Sequence, residues 1–428
     1  MLDIELFRTN LEKIIESENK RFKDPINAEK VFEFDKKWRH ALQELEETRK
    51  KRNDISVKIG EYKKTGEKEK AEKAINDSKI LKDKIDELEK EKSDYFEQRE
   101  IYRYMVGNIL HDSVPIAQTE EGNEIIREGG TKPEFSFKPL NHVELVEVTD
   151  GADTKKASEI AGSRFYYLKG DLVQLNLALM KFALDIIQEK GYTPIWTPFF
   201  VKHEIIKAAA ELSDFEDTLY KIQDEDLYMI ATSEQTIAAF HYNEIIDPEL
   251  LPLKYAGVSS CFRREAGSHG KDTLGIFRVH QFEKIEQFIF CKPGESWEMH
   301  EELISNAEEI YKKLDLPYRI VSIASGDLND NCSKKYDLEA WFPASETYRE
   351  LVSCSNCLDY QARKLKTRMG KVGSQEEKQV LHTLNSTAIA TERTICCILE
   401  NYQNEDHSVT IPKALQKFMG KKIIRKKD

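Results

Sequence analysis

Ser260-Cys261-Phe262-Arg263-Arg264-Glu265 and Ile276-Phe277-Arg278-Val279-His280-Gln281-Phe282-Glu283-Lys284-Ile285-Glu286 flank the glycine-containing stretch Ala266–Gly275. The pattern predicts strand, loop, strand. Period-two alternation puts Arg263 and Glu265 on one face of the first strand, and Arg278, Phe282 and Glu286 on one face of the second. Two arginines, two carboxylates and an aromatic ring on one surface suit a nucleotide. Guanidinium groups grip phosphate and carboxylate oxygens in pairs, a ring stacks on a base, and a carboxylate accepts from an exocyclic amine. Taken alone, the same residues also fit a hairpin whose solvated face carries Arg–Glu pairs across the strands.

The chain is 428 residues long, enough for two domains of unequal size. A hydrophobic share of 40% and a charged share of 33% suit a water-soluble protein. No apolar run approaches the roughly 18 residues that span a membrane. The opening Met1-Leu2-Asp3-Ile4-Glu5 has neither a signal-peptide nor a transit-peptide pattern, which predicts a cytoplasmic location. All seven cysteines lie beyond residue 260, and the odd number predicts reduced thiols rather than a disulfide framework. Cys354 and Cys357 have the spacing of half a zinc site, but no second pair matches them, so no structural zinc is expected.

Between residues 30 and 108 there is no proline, and Phe34, Trp38, Leu42, Leu45, Ile55, Ile59, Tyr62, Leu81, Ile85, Leu88 and Tyr95 recur at helical spacing. Steps of three and four form one apolar stripe, the signature of a coiled-coil seam. Gly60 and Lys63-Lys64-Thr65-Gly66 interrupt it, so the stretch predicts an antiparallel helical hairpin with its tip near residues 60–68. The net charge of -12 argues against nucleic acid if spread evenly, yet Arg49–Lys73 holds ten basic residues against five acidic ones. Those lysines suit either a solvated dimerisation hairpin or an arm gripping a phosphate backbone.

The arm is assigned to residues 1–115. Glycines and prolines then mark a linker at 116–135, followed by a second domain over 136–428. That domain opens with a short strand at Phe165–Leu168. Leu175, Leu179, Phe182 and Ile186 define an amphipathic helix ended by Gly191, and Tyr192–Thr197 reads as a strand closed by Pro198. Neither a Gly-x-Gly-x-x-Gly turn nor a Gly-x-x-x-x-Gly-Lys-Ser/Thr loop is present, so a nucleotide must be held by another device. The expected fold class is α+β: an N-terminal coiled-coil hairpin followed by an antiparallel sheet flanked by helices. The basic tail Lys421–Lys427 reads as a solvated terminus.

Phe262-Arg263-Arg264-Glu265 matches the Phe-Arg-x-Glu signature of motif 2 in class II aminoacyl-tRNA synthetases. The words around it, and Arg278–Lys284, resemble the seryl-tRNA synthetase family, in the form of its cytosolic eukaryotic members. Gly191–Pro198 resembles motif 1 and its dimer-forming strand, and His382–Arg393 resembles motif 3, a strand followed by an arginine-bearing helix. The resemblance covers nearly the whole chain.

By that resemblance, the chain activates L-serine with ATP to seryl-adenylate and pyrophosphate, then transfers serine to the 3′ end of tRNA(Ser). Arg263, Arg278 and Arg393 carry the phosphate chemistry. Arg263, Arg264, Glu265, Arg278, Val279, Phe282, Glu350, Leu351, Val352, Ser353 and Arg393 form the ATP site. Within it, Phe282 and Arg393 sandwich the adenine, Glu265 accepts from its amine, and Arg278 holds the γ-phosphate. Thr232, Ser233, Glu234, Arg263, Glu286, Asn385 and Thr387 form the serine site, with Glu286 and Thr387 reading the hydroxyl. Glu350 and Ser353 would hold Mg2+, although residues three apart share a strand face only across a bulge. Thr232, Ser386 and Thr387 also fit plain helix N-capping. Arg49, Lys50, Lys51, Arg52, Lys58, Lys63 and Lys64 would contact tRNA, bound across a homodimer.

No general base is evident near the motifs, so the expected rate comes from positioning and charge neutralisation. Two alternatives stay open: a synthetase for threonine or proline, and a catalytically silent relative acting as a scaffold. The second predicts loss of Arg263, Glu265, Arg278 or Arg393, and all four are present.

Overall fold

The computed structural model describes residues 1–209, 218–265, 274–371, 373 and 377–427; the loop residues 266–273 lie outside it. Two compact units emerge: Leu2–Gly107, and Asn108–Asp428 together with Met1.

The first unit holds α1 (Ile4–Thr9), α2 (Leu11–Lys20) and two long helices, α3 (Ile26–Thr65) and α4 (Lys68–Tyr104). At 40 and 37 residues, the long pair runs for roughly 60 Å at 1.5 Å per residue. Gly66 makes the reversal. It adopts φ 76°, the left-handed conformation that a β-carbon disfavours, and its N–H bonds the Tyr62 carbonyl. Gly60 does not break α3, which runs on through it. Ala41, Leu45, Ala71, Ala74, Ile85 and Leu88 are buried between the helices.

At the root of the hairpin a carboxylate occupies the seam. Asp35 is fully buried, and its two oxygens accept from Arg8 Nε and Nη2 at 2.8 Å, Arg39 Nε at 2.9 Å and Arg99 Nη1 at 3.0 Å. The Arg99 guanidinium also lies over the Trp38 and Phe96 rings at 4.9 and 4.6 Å. Removing one member of a buried charge cluster strands the others. Asp35→Ala should therefore destabilise the hairpin by about 3 kcal/mol. Hydrogen exchange of the Val31–Leu45 amides checks this, and unchanged protection would refute it.

The second unit is built on an eight-stranded sheet: β1 (Glu124–Gly129), β2 (Thr193–Trp196), β3 (Leu253–Phe262), β4 (Gln281–Cys291), β5 (Tyr318–Ser322), β6 (Lys334–Phe342), β7 (Thr347–Asn356) and β8 (His382–Ala390). Their spatial order is β1-β5-β6-β7-β8-β4-β3-β2, antiparallel throughout except for the edge pair β2·β3. Strand β1 falls inside the stretch read as a linker, where its backbone pairs with β5.

Helices α5 (Asp171–Glu189), α6 (Ser296–Lys313) and α7 (Thr391–Asn401) pack on the sheet. Leu175, Leu179, Phe182, Leu303, Ile310, Ile395 and Leu399 share one core with Ile285, Ile289, Leu338 and Leu384. Gly191, φ 88°, follows α5. Along β4 the alternation divides labour: Ile285 and Ile289 join the helical core, while Phe282, Lys284 and Glu286 line a cavity. The tail is not loose, because Lys427 N–H bonds the Val148 carbonyl at 3.0 Å and its ammonium reaches Asp150 at 2.6 Å.

Candidate active site

The cavity lies on β4, β7 and β8, with Thr232, Glu234, Arg263, Glu265, Arg278, Glu350 and Arg393 among its walls. Strand β3 stops at Phe262 and β4 starts at Gln281, so Arg263, Glu265 and Arg278 are not strand residues as period-two counting predicted. The reason is backbone pairing. Arg263 N–H still bonds the His280 carbonyl at 2.9 Å, but Arg264 N–H turns to the Thr218 carbonyl at 2.7 Å, and Glu265 takes φ 49°. The side chains converge nonetheless: Arg278 Nη1 lies 3.3 Å from the Glu265 carboxylate, and Arg278 Nε is buried with no hydrogen-bond partner among the described residues. An unsatisfied buried guanidinium N–H is a donor waiting for an anion.

Arg263 donates from Nε to the Ala231 carbonyl at 3.2 Å, and its guanidinium sits 5.1 Å from the Phe282 ring centre. Arg393, in the first turn of α7, lies over Phe277 at 5.3 Å and bonds the Glu350 carbonyl at 3.0 Å. Phe277, Phe282 and Arg393 line one cavity, and the expected adenine sandwich asks for a gap between Phe282 and Arg393 rather than a contact.

The bulge required for Glu350 and Ser353 is present. Glu339 pairs with Glu350 and Leu338 with Val352, so Leu351 is the extra residue, and both Glu350 and Ser353 reach the cavity. Desolvation acts to raise the Glu350 carboxyl, but the fields of Arg393, Lys335, Arg263 and Arg278 hold it below the usual carboxylate range. A carboxylate and a hydroxyl are hard oxygen donors of the kind Mg2+ takes. Among the described residues, no group of three or more His, Cys, Asp or Glu could hold a metal ion by itself.

Deeper in, Lys284 bonds Thr232 Oγ1 at 2.7 Å and pairs with Glu286 at 2.5 Å, and Thr387 Oγ1 donates to Glu286 at 3.4 Å. Glu234 accepts from Gln361 Nε2 at 2.8 Å and Asn385 Nδ2 at 3.0 Å. Burial and the nearby Glu286 push the Glu234 carboxyl up to about 7. Thr232 Oγ1 also accepts from the Glu234 amide at 3.1 Å, but the N-cap of the helix that begins at Glu234 is Ser233, so Thr232 is not the expected cap. Ser386 and Thr387 sit within β8 and cap nothing.

Three expected contacts point elsewhere. Arg264 is exposed, Val352 is buried in the helical core, and Ser233 is buried beneath the cavity wall. Conversely Phe277, Lys284, Lys335 and Glu392 line the cavity unforeseen. Lys284 was within reach, because the alternation that selects Phe282 and Glu286 also selects the residue between them. All seven cysteines are buried.

This sheet, its bulge and its arginine-walled cavity define a class II aminoacyl-tRNA synthetase core. Residues 218–402 match the family "tRNA synthetase class II core domain (G, H, P, S and T)", and residues 1–110 match "Seryl-tRNA synthetase N-terminal domain". The serine--tRNA ligase of Methanosphaera stadtmanae is 59% identical over 428 residues, covering 100% of both chains. The cytoplasmic serine--tRNA ligase of Arabidopsis thaliana is 50% identical, over 98% of this chain and 95% of that one. The crystal structure of seryl-tRNA synthetase from Pyrococcus horikoshii complexed with ATP superposes with a TM-score of 0.96 at 44% identity, covering 100% of both chains. The chain belongs to the seryl-tRNA synthetase family, and its activity is that of a class II serine--tRNA ligase. The threonine, proline and silent-scaffold alternatives fall away.

Gly257, paired with Glu286 across β3 and β4, supports the wall. A β-carbon there would meet Ile237 Cδ1 at 2.3 Å and Ser233 Oγ at 2.8 Å, displacing the short helix that begins at Glu234. Overpacking of this kind costs about 1 to 3 kcal/mol. Gly257→Ala should raise the KM for serine about tenfold with little change in that for ATP. Steady-state exchange kinetics check this, and an equal rise in both would contradict it.

Proposed function

We propose that the outer cavity binds ATP, with Arg263 on the α-phosphate, Arg278 on the γ-phosphate, and Glu265 and Phe282 on the adenine, whose other face Arg393 covers. The inner cavity takes serine: Thr232, Glu234 and Asn385 around the ammonium, Arg263 on the carboxylate, Glu286 and Thr387 at the hydroxyl. The observation that carries this reading is the convergence of three arginines with Phe277 and Phe282 in one cavity that also holds the half-buried Glu234 and the buried Glu286. The serine carboxylate attacks the α-phosphorus in line as pyrophosphate leaves. The terminal ribose hydroxyl of the tRNA then attacks the seryl-adenylate carbonyl, and the acyl–phosphate bond breaks, so that the ester forms as AMP leaves and the hydroxyl proton is lost.

Entry of ATP replaces the Glu265–Arg278 pair, freeing both groups for their partners. Glu350 and Ser353 would hold Mg2+ together with the phosphates; bound there, the ion neutralises phosphate charge. A pocket whose polar groups need a hydroxyl rejects alanine because unpaired buried groups are costly.

The proposed partners are ATP, L-serine and serine tRNA, in a cytoplasmic homodimer. Support for the dimer is the edge strand β2, whose Trp196 is 73% exposed. Support for cytoplasmic location is the likeness to the Arabidopsis thaliana relative named as cytoplasmic. Support for tRNA binding by the hairpin is its cationic surface. Lys50, Lys51, Lys58, Lys63 and Lys64 are exposed and, with Arg52, form no ion pair among the described residues, whereas Arg49 is held by Glu89 at 2.6 Å.

Two outcomes test the reading. Serine binding needs the Glu234 carboxylate, and protonation below about pH 7 removes it, so kcat/KM for serine in pyrophosphate exchange should fall about tenfold per pH unit on that limb. A profile flat down to pH 5.5 would contradict the role of Glu234. Replacing Lys58, Lys63 and Lys64 together by Ala should weaken tRNA charging and flatten its salt dependence while sparing exchange. Unchanged charging kinetics would reject the arm as a tRNA contact.

A further inference from the structure

Lys284 is a buried ammonium at the floor of the cavity, and the chemistry of adenylate formation leaves it without a task. Its Nζ is tied to Thr232 Oγ1 at 2.7 Å and to Glu286 at 2.5 Å, and its side chain is 7% exposed. The other charged or titratable groups around it are Glu234, Arg263 and the Cys261 thiol, with the Thr387 hydroxyl on Glu286. Two buried carboxylates, Glu234 and Glu286, thus face each other with one fixed ammonium between them. A substrate ammonium completes the balance, two anions against two cations. Without Lys284, one carboxylate of the empty site takes up a proton that serine binding must then release, and Glu286 loses the bond that fixes its orientation.

We propose that Lys284 is a specificity-positioning residue: by bridging Thr232 and Glu286 it holds Glu286 as an oriented acceptor for the substrate hydroxyl and limits the proton release that serine binding requires. This rests on the reading of Glu286 as the hydroxyl-binding group. The one ammonium within reach of both sets the spacing between Thr232 and Glu286.

The test is serine- and alanine-dependent pyrophosphate exchange by the full chain between pH 5.5 and 9, with Lys284→Met, Lys284→Arg, Glu286→Gln and the double variant Lys284→Met/Glu286→Gln. Lys284→Met should lose about ten- to a hundredfold in kcat/KM for serine at pH 7.5, the worth of a hydrogen bond to a charged group. Its acid limb should move up by roughly one pH unit, because the neighbouring cation that favours ionised Glu234 is gone. The KM for ATP should hold within about twofold, and Lys284→Arg should restore most of the limb. In the Glu286→Gln background, Lys284→Met should cost less than about threefold more, since the two groups act as a unit.

A loss that is uniform across pH, or losses that multiply in the double variant, would overturn the proposal. The double variant and Lys284→Arg decide the matter even if Lys284→Met alone folds poorly. A wild-type serine-over-alanine ratio in Glu286→Gln is a separate failure: it removes the hydroxyl reading of Glu286 and the proposal with it.

Discussion

The ladder between β3 and β4 is the constraint on which the site depends. Its register runs from Leu253↔Phe290 to Phe262↔Gln281 without a break, and sets Gly257 opposite Glu286. A one-residue slip would turn Phe282, Lys284 and Glu286 into the helical core and bring Ile285 into the cavity. Just past the last rung, the Arg263–His280 backbone bond carries the pairing one step further before Arg264 turns away to Thr218. Arg263, Glu265 and Arg278 are thereby delivered to one point by two chain segments that have left the sheet. The neighbouring strand adds its own irregularity, the extra residue Leu351, which brings Glu350 and Ser353 to the same side.

The cavity built this way is dense in charge, and the balance of signs governs its chemistry. Arg263, Arg278, Arg393 and Lys335 stand with Glu265, Glu350 and Glu392 at the outer end, where the triphosphate is proposed to lie. Glu234 and Glu286 dominate the inner end, with Lys284 as the counter-ion. Buried charge is costly unless each member is paired, which is why these side chains are tied to each other in the unliganded chain. The hairpin root obeys the same rule, with Asp35 compensated by Arg8, Arg39 and Arg99.

Much of this was legible in the residues. Heptad spacing marked the hairpin, Gly66 its reversal, and the Phe-Arg-x-Glu and Thr-Glu-Arg words marked the site. What escaped depended on tertiary pairing. Strand ends were misplaced because a carbonyl from Thr218, far in sequence, captures the Arg264 amide. Strand β1 was read as linker because its composition is that of a loop, and only pairing with β5 makes it a strand. The buried role of Asp35 escaped as well, since nothing local announces three arginines converging on it. The bulge at Leu351 was inferred only as a requirement of two residues that had to share a face.

The most direct measurement of the central claim is ATP–pyrophosphate exchange with each amino acid in turn. Serine should stimulate exchange, and alanine should be at least about a thousandfold less effective, because it leaves Glu286 and Thr387 unpaired. Failure of serine to stimulate exchange, or alanine matching it, would contradict the account.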